Sequence, residues 1–434
     1  TVLDVVKAAL GDKYTILNES GNYIQSITPK DGKELGEFTN GNLSGWMYTL
    51  NGVHPNLGVA QQYLNGGDVI VFHYTDDYTR ESGMDGGRKS PAEVVAMIDA
   101  IGAVSLSKGT AISEARTAYD ALTDAEKKQV TNYDKLTAAE AAYAKLVAEM
   151  GKKLEEIYKT TGDYMSKLGT PGFGSVGGEW MTIGLARSGR TVPAGYYDNV
   201  VKYVKEKADA NERLHRAKVT DNARVILALT AIGKDVTDVG GHNLLKGMDS
   251  MEFVQTQGIN GPIWTLIALD SHNYPTMGDV TREKLIQVIL DAQLSDGGWN
   301  LSGENADPDM TAMAIQALAP YYKTNETVKA AVDKALEALS ALQRNDGGFG
   351  SWGTVNSESC AQVIVALTAL GIDPTADSRF VKNDLTVLDA LASFYVTGGG
   401  FKHVADKGRD GMATEQGYYA LAAYYRFVNA QTRL

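Results

Sequence analysis

Two short stretches of this 434-residue chain place residue types that can do chemistry at close spacing. Asp307-Pro308-Asp309 sets two carboxylates directly ahead of the apolar run MTAMAIQAL, where acidic residues cap a helix and favour the positive end of its dipole. Glu358-Ser359-Cys360 offers a carboxylate and a thiol ahead of AQVIVALTAL. Two ligands are too few for a tetrahedral catalytic metal site, and Cys360 has the character of a small buried residue. As the only cysteine it excludes an internal disulfide and any multi-cysteine metal site. The six histidines, His54, His73, His215, His242, His272 and His403, stand scattered without ligand spacing. No phosphate-binding glycine loop can be assigned, nor any Ser/His/Asp grouping, from residue order.

Both stretches belong to a repeat, and the repeat predicts what positions them. Six segments recur: GGEWMTIGLARSG from Gly177, DNARVILALTAIG from Asp221, NGPIWTLIALDS from Asn260, DPDMTAMAIQALAPY from Asp307, SESCAQVIVALTALG from Ser357 and MATEQGYYALAAYY from Met412. Each opens with polar or small residues and then runs almost wholly apolar, the pattern of a helix buried on every side. Between them lie amphipathic segments near 152–167, 194–208, 242–257, 280–293 and 378–396, and NETVKAAVDKALEALSALQ, where Val328, Val332, Ala335, Leu339 and Leu342 form one stripe. A fixed period of this kind means one supersecondary unit used several times. Six inner and six outer helices that close on themselves hide the end faces of an open stack, so an α6/α6 toroid is predicted for 151–434. Its inner helices' first turns would gather at one end, around a pocket. Gln293-Leu294-Ser295-Asp296-Gly297-Gly298-Trp299 and Gln343-Arg344-Asn345-Asp346-Gly347-Gly348-Phe349 mark equivalent turns, echoed at Gly398-Gly399-Gly400-Phe401. Their aromatics are expected to plug the hairpins as structural staples.

Residues 1–80 have a different pattern. The runs TVLDVV, YTIL, GWMYTL and DVIVFHYT are expected to be strands, with Trp46, Tyr48 and Leu50 on one face and hairpin turns at Asn51-Gly52 and Gly66-Gly67-Asp68. TDDYTRESGMDGGRKS, residues 75–90, is polar and aperiodic, as a linker is. The alanine-rich, alternately charged segment up to Met150 predicts a helical spacer, with Thr123-Asp124 as a cap and Asn132-Tyr133-Asp134 as a turn. The fold class is therefore multidomain α and β, with a small β-domain over 1–80, a linker and spacer bundle over 81–150 and the toroid beyond. A formal charge of −12 argues against a nucleic-acid partner. No apolar run reaches the length of a membrane helix, and no export signal is visible at the first residues.

The toroid repeats resemble those of terpenoid cyclases and protein prenyltransferases, whose QxxxGxW and DGGF-type turns match 293–299 and 343–349. The stretch SGWMYTLNGVHPNLGVAQQYLNGGDVIVFHYT resembles the small β-grasp-like domain of transcobalamin and intrinsic factor, a module also found in surface proteins of Gram-positive bacteria. In that family a ring and this β-domain clamp a corrinoid between them; here the two parts stand in reversed order with a spacer inserted. The resemblance implies an extracellular or cell-surface protein that captures a bulky, partly apolar small molecule, best a corrinoid, with no cofactor required. Contacts are expected from Trp180, Asp221, Trp264, Asp309, Thr311, Glu358, Gln362, Glu415 and Gln416 on the inner helices' first turns, and from Trp46 and Tyr48.

Two further readings come with the resemblance. Prenyltransferases bind zinc through an Asp-x-Cys pair and a later histidine. Here Glu358-Ser359-Cys360 carries glutamate instead, and the histidine's place falls near Gln416. Class II terpene cyclases protonate an alkene with the middle aspartate of Asp-x-Asp-Asp. Asp309 would hold that place, followed by Met310 rather than a carboxylate, in an enzyme acting on an isoprenoid. As a third reading, related rings in complement-type proteins bind other proteins, which would make this an adhesion or scaffold protein.

Overall fold

The computed structural model describes residues 1–17, 21–81 and 89–434. Residues 82–88, the middle of the expected linker, lie outside them. The chain forms two units, Thr1–Ala100 with Glu114–Tyr133, and Ile101–Ser113 with Asp134–Leu434.

In the first unit the initial expected strand is a helix. Thr1 accepts the Asp4 amide and Asp4 reaches back to the Thr1 backbone, a capping box that starts α1 (Val2–Leu10). Val2, Leu3 and Val6 then fall on one helical face, which is what TVLDVV encodes in place of period-two alternation. Strands β1 (Tyr14–Leu17), β2 (Ser26–Pro29) and β3 (Leu35–Gly36) form an antiparallel sheet in that order. Strands β4 (Gly45–Leu50) and β5 (Ile70–Thr75) pair antiparallel, with Trp46 opposite Tyr74, Met47 opposite His73 and Tyr48 opposite Phe72. Asn51 and Gly52 both take positive φ, 53° and 83°, so the expected two-residue turn forms between Leu50 and Val53. The core joins Val2, Leu3 and Val6 to Ile24, Ile27, Tyr48 and Val59.

Helix α2 (Pro91–Ile101) and α3 (Gly109–Asp120) follow. Then α4 (Asp124–Lys127) starts from a Thr123/Glu126 capping box, and α5 (Tyr133–Met165) runs unbroken for 33 residues. Both the expected end of the spacer at 150 and the outer helix near 152–167 therefore fall within α5.

The second unit is the ring. Inner helices α6 (Glu179–Arg187), α8 (Val219–Ala231), α10 (Asn260–Asp270), α12 (Pro308–Leu318), α14 (Ser357–Leu370) and α16 (Gly411–Val428) pack each against the next, and α16 returns to α6. The ring is closed. Around it stand the later part of α5, α7 (Gly195–Lys207), α11 (Arg282–Asp291), α13 (Glu326–Leu342) and α15 (Val387–Ser393). Two outer positions depart from the expected amphipathic helices. At 242–257 only α9 (Met251–Val254) is α-helical: the Leu244 carbonyl accepts from Asn222 of α8, and Gly247 packs where a side chain would meet Asn222 and the Glu212 carbonyl. Within 378–396, Asn383 and Asp384 take positive φ and turn a short hairpin, Val381–Lys382 against Leu385–Thr386, before Thr386 caps α15.

The turns between outer and inner helices are built alike. Gln293 donates its side-chain amide to the Gly297 and Ala331 carbonyls (2.7 and 2.8 Å), and Gln343 does the same to Gly347 and Phe380 (both 2.9 Å). Gly297 and Gly347 hold φ near 92° and 77° against the carbonyls of Lys334 and Thr386, a place with no room for Cβ. Trp299, Phe349 and Phe401 are fully buried, as staples should be.

Candidate functional site

The ring encloses a cavity of about 390 Å³. Trp180 and Trp264 face it with ring centroids 5.1 Å apart, and Tyr419 lies 5.8 Å from Trp180. Ile183, Leu227, Ile267, Val365 and Ala369 complete a largely apolar wall. Its polar groups come mostly from the later turns of the inner helices, not the first: Arg187 of α6, Thr230 of α8, Asp270 of α10 and Gln316 of α12, with Thr432 and Arg433 beyond α16.

Each of these is held by its neighbours. Asp270 accepts from Arg282 Nε (2.7 Å) and from the Tyr321 hydroxyl (2.8 Å). The Thr230 hydroxyl meets that of Tyr274 at 2.8 Å. Gln316 donates to Gln362 Oε1 (2.9 Å), Gln362 donates to Gln416 Oε1 (3.1 Å) and to the Tyr419 hydroxyl, and a belt of amides thus links α12, α14 and α16. Arg187 donates Nη2 to the Arg433 carbonyl and the Thr432 hydroxyl, while its Nε is buried with no hydrogen-bond partner. Burial, followed by repulsion from Arg426, lowers the Arg187 pKa. Such a guanidinium is an open donor for an acceptor group carried into the cavity.

Of the residues expected to contact a ligand, Trp180 and Trp264 line this cavity, and the others lie outside its lining. Asp221 pairs with Arg224 at 3.3 Å. Thr311 accepts the Trp299 amide at 2.9 Å and so fixes the staple. Glu358 accepts from His403 Nδ1 at 2.8 Å, and Gln362 and Gln416 form the amide belt. Glu415 accepts the Gly177 amide at 2.6 Å through one oxygen, the other being buried without a partner; burial, then the nearby Glu179 charge, pushes its carboxyl up to about 7. In the first unit, Trp46 donates Nε1 to the Leu35 carbonyl (2.9 Å) and stacks on Phe72, and the Tyr48 hydroxyl donates to Leu57 (2.6 Å). Both complete that unit's core.

Asp309 lies seven residues before Gln316 on α12, about 10 Å along the axis and beyond the amide belt from the cavity. Its Oδ1 is buried without a partner. Burial, with Asp307 and Glu358 adding repulsion, pushes its carboxyl up to about 6 against the opposing effect of Ser359. Cys360 is fully buried, and burial pushes its thiol up to about 12. The six histidines are less scattered than their order implies: the fold brings His54 and His73 together with Glu81. Order alone gave no signal for this, because the three are brought together by a hairpin and a following turn.

Residues 216–424 match the model of the prenyltransferase alpha-alpha toroid domain. The ring is a prenyltransferase-like toroid. Residues 1–76 match a domain of unknown function, DUF4430. Similar solved structures include ent-copalyl diphosphate synthase from Streptomyces platensis, at 22% identity and TM-score 0.38, covering 57% of this chain and 49% of the synthase. The chain thus spans about half that enzyme's length. Others are a glycosyl hydrolase family 88 protein from Bacteroides vulgatus (12%, TM-score 0.44, 64% and 99% covered) and the unsaturated glucuronyl hydrolase of Bacillus sp. GL1 (14%, 0.41, 65% and 98%). No curated protein sequence matches significantly. Among the described residues no helix is long and apolar enough to cross a membrane.

Proposed function

We propose that the toroid captures a small, partly apolar molecule in its central cavity without transforming it. The reading rests on one observation, the juxtaposition of Trp180, Trp264 and Tyr419 with the unpartnered Arg187 Nε around a hollow of about 390 Å³. Apolar walls with a few convergent polar groups, at 300–1,000 Å³, are the general chemistry of ligand pockets. The aromatic faces take an apolar body, and Arg187 takes an acceptor at its end. A corrinoid, the ligand implied by the likeness of the N-terminal stretch to transcobalamin's β-domain, is larger than this hollow and would enter it by one part only. The same likeness is the ground for proposing a cell-surface location. Isothermal titration with cobinamide, cobalamin, squalene and prenyl diphosphates tests the reading, beside native mass spectrometry of protein taken from its own host. Binding at micromolar concentration that weakens at least about tenfold in Trp264→Ala, the loss of one aromatic anchor, supports it. No heat with any of these and no co-purifying molecule sinks it.

A second reading has one observation in its favour. A carboxyl held near 6 with a free oxygen, as in Asp309, suits a proton donor, and donors of this kind are tuned by burial. Product formed from squalene or a prenyl diphosphate and abolished in Asp309→Asn would establish an isoprenoid cyclase in place of a binding protein.

A further inference from the structure

The first unit brings together three side chains from separate segments. His54 follows the Asn51-Gly52 turn, His73 sits on β5 opposite Met47, and Glu81 follows a single helical turn that Asp77 caps. His73 Nε2 lies 3.2 Å from a Glu81 carboxylate oxygen and His54 Nε2 lies 3.7 Å from the same oxygen, with one atom from each residue within 4.8 Å of the others. Ligands about 2.0–2.2 Å from a tetrahedral ion stand about 3.3–3.6 Å apart, so the trio needs to draw in by only about 1 Å.

The tautomer of His54 is fixed by its partner. Nδ1 lies 3.0 Å from the Tyr48 carbonyl, which can only accept, so Nδ1 carries the proton and Nε2 turns its lone pair toward Glu81. A backbone carbonyl on the far ring nitrogen is the usual support of a metal-binding histidine. His73 adds a second mark. Both of its ring nitrogens are buried, and neither has a hydrogen-bond partner among the described residues. Its approach to Glu81 is close but not aligned for a hydrogen bond. A buried imidazole without partners is costly, and a cation between the three groups removes that cost.

We propose that His54, His73 and Glu81 form a binding site for a borderline divalent transition-metal ion of the zinc class, with one coordination position left for water or an outside ligand. Two imidazoles and a carboxylate select such an ion over calcium or magnesium, which prefer all-oxygen sites. The site is independent of the toroid cavity and of the binding role proposed for it.

The test uses the full chain, stripped with a chelator and titrated with Co²⁺ as a spectroscopic stand-in, then with Zn²⁺ as competitor. The expected result is one Co²⁺ per chain, with the intense visible bands of four-coordinate cobalt, lost when Zn²⁺ displaces it. Glu81→Gln and His73→Gln should each weaken binding about 100-fold or more, at least the upper end of what losing a supporting partner does. Both side chains are partly exposed, and metal-free variants that melt like the metal-free parent show that folding is intact. Absent visible bands, six-coordinate weak binding only, or variants that bind like the parent would overturn the proposal and leave a plain histidine–glutamate contact.

Discussion

Glu415 makes the ring's stability depend on pH in a direction opposite to that of an ordinary paired carboxylate. Its side chain is 3% exposed, and burial pushes the carboxyl from the usual 4.5 up to about 7. Between those values the folded chain keeps a proton that the unfolded chain has released, so folding stability falls as pH rises through the window. Each pH unit there costs about 1.4 kcal/mol, hence about 3 kcal/mol in all, fully lost above pH 7 and fully present below 4.5. Glu415→Gln keeps an oxygen for the Gly177 amide and removes the charge. It should therefore be more stable than the parent by about 3 kcal/mol at pH 8, with the gap closing toward pH 4.5. Guanidinium unfolding of both proteins at pH 5, 6.5 and 8, followed by tryptophan fluorescence, gives the difference with all other titrating groups in common. A gap that is the same at pH 5 and pH 8, or a parent that stays level relative to the variant across this range, would refute the assignment of a buried, neutral Glu415.

Thr311→Val keeps the shape of the first turn of α12 but leaves the Trp299 amide without its acceptor; a loss of about 1–3 kcal/mol is expected in the same unfolding assay. Gly347→Ala should cost more than Gly353→Ala, because both have φ near 77° but only at Gly347 would Cβ meet a carbonyl, that of Thr386 at 2.5 Å. The Gly353 variant should lose about 1 kcal/mol and the Gly347 variant at least about 1–3 kcal/mol more, read from melting temperatures. Trp299→Ala removes a fully buried indole and its bond to the Ile289 carbonyl, and should cost about 3–5 kcal/mol by denaturant titration.

The ring was legible because a helix buried all round has a sequence unlike any other, and six of them at a near-regular period leave few arrangements. The outer layer was less so. At 242–257 apolar spacing suits a helix, yet Gly247 stands where Asn222 of α8 must reach the Glu212 and Leu244 carbonyls, and that long-range demand overrides the local pattern. TVLDVV was misread because β-branched residues favour strands on average, whereas the Thr1/Asp4 box and the Val2–Val6 spacing decide this case. His54, His73 and Glu81 could not be grouped from order, since the pairing of β4 with β5 and the turn after it create their proximity.

The displacement of the cavity from the first turns has a cause in the repeat itself. Four residues after the caps Asp307, Asn356 and Asp410 stand Thr311, Cys360 and Thr414. Thr311 and Thr414 accept the amides of Trp299 and Phe401, and Cys360 holds the equivalent place in its helix. In two of the repeats one threonine thus ties the buried aromatic of the preceding turn to the next inner helix. The later turns carry no such tie. They are free to differ from helix to helix, and there the ring presents arginine, threonine, aspartate and glutamine to one hollow. Where a first-turn threonine is held by this tie, as in α12 and α16, its position is fixed by closure of the turn, whereas the later turns differ in residue type from helix to helix.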